Sequence, residues 1–157
     1  MSDLDILGRT EAICLPYIDD RTTHARVDTG AKTSAVWVSS AVVENGGLNV
    51  IFFGPRSPLY SGKIMHFTEY SQTVVASSNG VAQRRFKIRL RIIVGGRKIR
   101  AWFTLADRST QVYPVLIGRN VLHSKFVVDV TRFSQDLKSY EQARSAALKK
   151  ELQTWIL

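Results

Sequence analysis

Asp28, Thr29, Gly30 and Ala31 are the residues best suited to chemistry, and they follow a short apolar segment. Their order puts a carboxylate on a tight turn, because Asp and Gly both favour turns. Thr29 adds a hydroxyl that can hydrogen-bond to a neighbouring turn. Gly30 has no Cβ, so another backbone can come close. Ala31 is small enough to leave room for an extended chain. Two carboxylates about 3 Å apart cannot both ionise, so one keeps a proton while the other serves as a base. This motif supplies one such Asp per chain. The competing reading of Asp-Thr-Gly is an ordinary surface turn. A second segment, Val115-Leu116-Ile117 running into Gly118-Arg119-Asn120, offers an apolar strand that ends in a guanidinium.

Strands must position these groups. Ile6 to Ile18 reads as an opening strand and loop, broken by Gly8 and Pro16. His24 to Val27 reads as a strand leading into the Asp turn, and Ser34 to Val43 as the strand leaving it. Asn45-Gly46-Gly47 signals a turn before a strand over Leu48 to Phe53, and Gly54 to Pro58 is a loop. The clearest local prediction is a hairpin. Phe86, Ile88, Leu90 and Ile92 alternate with Lys87, Arg89 and Arg91; Gly95-Gly96 follows; Ile99, Ala101, Phe103 and Leu105 then alternate with Lys98, Arg100 and Trp102. A Gly-Gly turn of type I′ pairs Ile92 with Ile99, Leu90 with Ala101 and Ile88 with Phe103 on one face. On the other face it sets Arg91 against Arg100 and Arg89 against Trp102. From Ser134 to Leu157 the pattern turns helical: Leu137, Tyr140, Ala147, Leu148, Leu152, Trp155 and Ile156 form an apolar stripe. That stripe either docks on the strand domain or contacts a partner.

The pairing of the Asp turn with Ile117-Gly118-Arg119 resembles the two halves of a retropepsin-type aspartic protease subunit. The stretch from Val27 to Ala35 is similar to the Asp-turn signature of a bacterial family named ATP-dependent zinc proteases, associated with ATP-grasp ligase genes. Ser77-Ser78-Asn79-Gly80, Thr104 to Ser109 and Phe126 to Asp129 are similar to that family's later blocks, and the likeness covers roughly residues 6–133. It implies an all-β, retropepsin-like closed barrel over residues 1–133, with residues 134–157 as a C-terminal amphipathic helix. It also implies a homodimer that hydrolyses a peptide or protein substrate, with Asp28, Thr29 and Gly30 of each subunit as the catalytic turn. Ala31 and a flap tip at Ser77, Ser78, Asn79 and Gly80 would bind substrate, although the tip also reads as a plain turn. Gly118 and Arg119 would be structural supports. Retroviral enzymes place an acidic residue after the Ala, where it pairs with the motif Arg. Lys32 stands there in this chain, so Asp107 and Asp129 become the candidate acceptors for Arg119.

Composition sets further bounds. The 157 residues suit one domain, and a hydrophobic content of 45% argues against disorder. No long apolar run predicts a membrane span, and the acidic start Met1 to Asp5 does not read as a signal peptide. A cytoplasmic location is the resulting expectation. Cys14 reads as a small buried hydrophobe that is not a nucleophile. His24, His66, His123 and Cys14 lie far apart, so neither a metal site nor any other cofactor is expected, and any ATP dependence would come from a partner. The net charge of +9 is uneven. Arg84, Arg85, Lys87, Arg89, Arg91, Arg97, Lys98 and Arg100 fall in one stretch without an acidic residue. This is either a solvated strand face or a patch for an anionic partner. A rival to the protease is therefore a non-catalytic module of the same fold. It would use Arg89, Arg91 and Arg100 to bind an acidic protein tail or nucleic acid.

Overall fold

The computed structural model describes residues 3–76, 80–133 and 142–150. The strands are β1 (Asp5–Leu7), β2 (Thr10–Leu15), β3 (Asp19–Val27), β4 (Ser34–Glu44), β5 (Gly47–Phe52), β6 (Ile64–Phe67), β7 (Tyr70–Ala76), β8 (Ala82–Val94), β9 (Arg97–Ala106), β10 (Val115–Ile117) and β11 (Phe126–Val128). A single turn of helix, α1 (Arg119–Leu122), separates β10 from β11. Residues 142–150 are helical.

The barrel closes because β10 bonds on both edges. The ring runs β10, β3, β2, β8, β9, β4 and back to β10. β10 lies parallel to β3, with Ile117 opposite Val27, and antiparallel to β4, with Leu116 opposite Ala35. This closed all-β barrel is the architecture the resemblance implied. A closed ring has no exposed edge. β4 leaves the ring at a register shift between Val38 and Ser40, where Phe53 bridges to Val38. Its outer half then pairs with β5, which pairs with β6, as an irregularity of this kind lets one strand serve two sheets.

The predicted hairpin forms in the predicted register. Ile92 faces Ile99, Leu90 faces Ala101 and Ile88 faces Phe103. Gly95 and Gly96 both take positive φ, 55° and 77°, as a type I′ turn requires. Ile88, Ile92 and Phe103 are fully buried. Burying each such side chain contributes about 1.5–3 kcal/mol. β8 is long enough to serve two partners: its start pairs with β7 out to Ala76 opposite Ala82, and its end pairs with β9.

The opening segment differs from expectation. Ile6 to Ile18 contains two strands in different sheets, β1 pairing in parallel with β11 and β2 joining the barrel. β3 starts earlier than His24, since Leu15 pairs with Asp19. Within residues 142–150, Leu148 is buried, and Arg144 donates to the Ser109 carbonyl at 2.9 Å and lies 5.9 Å from the Trp37 ring centre. This part of the helix is docked on the strand domain. Leu137, Tyr140, Leu152, Trp155 and Ile156 lie outside the described residues.

Candidate active site

β3 and β10 run side by side, and both motifs lie where they end. The Asp28 N–H donates to the Ile117 carbonyl at 2.8 Å, so the catalytic candidate starts its turn directly against the second motif. Asp28 then folds the turn onto itself. Its Oδ1 accepts the Gly30 N–H at 2.9 Å, and its carbonyl accepts the Ala31 N–H at 3.2 Å. The first of these bonds fixes the plane of the carboxylate. Asp28 is half-buried, while Thr29 and Gly30 are exposed. Space around Gly30 is open: a Cβ there would meet only Asp28 Oδ1, at 3.2 Å.

The return side of the turn is clamped from below. The Ala31 carbonyl accepts the Arg119 N–H at 2.8 Å, and the Lys32 carbonyl accepts the Asn120 N–H at 3.3 Å. Gly118 makes this approach possible, since a Cβ there would sit 2.5 Å from the Thr33 oxygen and 3.0 Å from the Ala31 oxygen. Arg119 completes the clamp by donating from Nη1 to the Thr29 carbonyl at 3.1 Å. Neither expected acceptor is used. Asp107 caps the Ser109 N–H at 2.9 Å, and Asp129 binds the Thr131 hydroxyl and N–H. A backbone carbonyl at the turn fills the role of the acidic residue that Lys32 replaces.

Sequence reasoning missed two supports. Ser34 is fully buried; its Oγ accepts the Gly118 N–H at 3.0 Å and donates to Asn120 Oδ1 at 2.8 Å. Asn120 in turn donates to the Trp102 carbonyl at 2.8 Å, and Thr104 donates to the Ser34 carbonyl at 3.2 Å. The turn is thus tied to β4 and β9. The available signal was the Thr33-Ser34 pair of hydroxyls at the head of the apolar run Ala35-Val36-Trp37-Val38.

A second omission is electrostatic. Arg108 is half-buried and donates from Nε to the Tyr113 carbonyl at 3.0 Å. Burial, then the charges of Arg85 and Arg26, push its pKa down to about 10, while Asp28 opposes that shift. Arg26 and Arg85 thus add positive charge beside Arg108, and Asp28 supplies the opposing negative charge. The flap candidates Ser77, Ser78 and Asn79 lie outside the described residues; Gly80 has φ 81°.

The remaining candidates lie elsewhere. Arg89, Arg91 and Arg100 are exposed on the outer face of β8 and β9, away from the Asp turn. Cys14 is half-buried, not buried as expected. Its thiol points at the Asp19 and Asp20 carbonyls, and burial followed by the nearby carboxylates raises its pKa, which opposes thiolate formation. Among the described residues, no group of three or more His, Cys, Asp or Glu could hold a metal ion. No helix among them is long and apolar enough to cross a membrane.

Comparison with known proteins agrees with this geometry. A crystal structure of a Legionella pneumophila protein of unknown function superposes with a TM-score of 0.62, covering 83% of this chain and 97% of that one, at 23% identity. That likeness concerns the fold. Proteins named probable alpha-L-glutamate ligase are 31% identical in Shewanella pealeana and 30% identical in Shewanella halifaxensis. Each match covers 79% of this chain but spans only 28% of the ligase. The family model for the retropepsin-like aspartic endopeptidase RimB matches residues 6–138. This chain therefore belongs to the RimB-like family of retropepsin-like aspartic endopeptidases.

Proposed function

We propose that the protein is an aspartic endopeptidase whose active site forms when two chains bring their Asp28 turns together. The observation that carries this reading is the clamped turn, in which Asp28 Oδ1 is fixed on the Gly30 N–H and the loop is held by Gly118 and Arg119. Catalysis by paired carboxylates needs that rigidity, because small displacements weaken both proton transfer and water positioning. One Asp28 takes a proton from the attacking water. The other holds the shared proton and gives it to the carbonyl oxygen of the scissile bond. The open space at Gly30 allows two such turns to meet across a two-fold axis.

The substrate class we infer is an acidic peptide. Arg108 interacts electrostatically with Asp28 and has Arg26 and Arg85 beside it, and this cationic group would attract an acidic chain and repel a basic one. The relatives' names refer to ligation of L-glutamate, and a hydrolase acting on glutamate-rich peptides would reverse such an addition. A cytoplasmic location is part of this proposal.

The test is hydrolysis of a glutamate-rich peptide by wild type and by Asp28→Asn. The expected loss is roughly a thousandfold or more with an unchanged circular dichroism spectrum, since a dyad acts as a unit. A chelator should have little effect. Full activity in a pure Asp28→Asn protein would overturn the assignment and leave the non-catalytic binding module as the better reading.

A further inference from the structure

The outer face of the β8–β9 hairpin is one wall of a cleft of about 600 Å³. Arg89, Arg91 and Arg100 line it, together with Tyr17, His66 and Glu69. None of the cleft's lining residues belongs to the Asp28 turn. Arg91 and Arg100 stand directly opposite each other in the pairing register. Like charges so placed destabilise a sheet unless an anion lies between or beside them. Among the described residues, Glu69 is the only anion lining the cleft, and it fills that role weakly. Its carboxylate is 3.7 Å from Arg89 Nε and 3.9 Å from Arg100 Nη2, too long for hydrogen bonds. Among the described residues, no ion pair engages Arg91. The cleft thus carries more positive charge than its own carboxylate neutralises.

We propose that this cleft is a second binding site, remote from Asp28, for a carboxylate-rich segment of a partner or substrate protein. Glu69 occupies the position that an incoming carboxylate takes, and the ligand displaces it. Arginine forks then engage the new carboxylates in the paired, shorter geometry that Glu69 does not reach. The cations over Trp102 favour a peptide over nucleic acid. Tyr17 meets Phe67 edge to face at 5.6 Å, and the Trp102 ring is covered by Arg89 at 5.1 Å and Lys87 at 5.2 Å. Trp102 is thus engaged by its own cations and not left open for a base to stack on, whereas Tyr17 is exposed. The proposal does not require Asp28 to be catalytic.

The test uses the full chain carrying Asp28→Asn, so that the probe is not consumed. Fluorescence anisotropy follows a labelled peptide of alternating Glu and Gly. Joint Arg91→Glu and Arg100→Glu substitution should weaken binding about tenfold or more. Glu69→Gln should tighten it by roughly threefold, by removing the internal competitor. That opposite sign separates ligand binding from simple misfolding. Affinity unchanged by the arginine reversals would overturn the proposal, as would an absence of binding. Tighter binding of a single-stranded RNA of equal charge, with the same arginine dependence, would also overturn it.

Discussion

The Asp28 turn and the basic face of β8 and β9 both concentrate charged groups, yet they are built in opposite ways. At the turn, polar atoms are held by short bonds from three strands and a helical turn. Ser34, Gly118, Arg119 and Asn120 leave little freedom to adjust. On the basic face, guanidiniums are exposed, and the one carboxylate among them sits at 3.7–3.9 Å. The difference follows from what each region would do. Proton transfer depends on tenths of an ångström, and the carboxylate's own bond to Gly30 is backed by the buried bond between Ser34 and Gly118. Attraction of an anionic chain depends on charge density and tolerates side-chain movement.

This contrast can be broken at its rigid end first. Gly118→Ala places a Cβ 2.5 Å from the Thr33 oxygen, where only backbone movement relieves the clash. It should cost about 3 kcal/mol of stability. It should also displace the Asp turn, so activity falls more than the loss of folded protein accounts for. Ser34→Ala comes next. It leaves the buried Gly118 N–H without its acceptor and should cost about 1–3 kcal/mol, read from a urea midpoint shift at constant slope. The loose end should behave differently. Arg91→Gln should change stability by no more than about 0.5 kcal/mol, and in the stabilising direction, because it removes a like-charge pair with Arg100. A large loss at Arg91, or none at Ser34, would erase the distinction between the two regions.

The sequence made these regions unequally legible. The hairpin could be placed residue by residue because alternation and a Gly-Gly turn are local signals. The Asp turn was legible because its residue types are restricted by the chemistry and by close backbone approach. Its supports were harder to see. Ser34 and Gly118 are 84 residues apart, and Asn120 reaches back 18 residues to Trp102; no local pattern encodes such contacts. Arg119 was expected to seek a carboxylate, yet the nearest suitable acceptor was the turn's own Thr29 carbonyl. Arg108 was visible only as part of the Thr104 to Ser109 stretch, and its burial and interaction with Asp28 come from the fold. The β1–β11 pairing joins segments that are short and far apart, so neither reads as a strand partner of the other.

The central claim is that two chains each contribute one Asp28 to a single active site. It is tested most directly by holding wild-type protein constant and adding Asp28→Asn protein, after allowing subunits to exchange. If pairing is random, an equal amount of variant should reduce activity to about half, and a ninefold excess to about one tenth, because a mixed pair lacks the second carboxylate. Activity that stays constant as the variant is added, while mixed pairs are shown to form, would contradict the account.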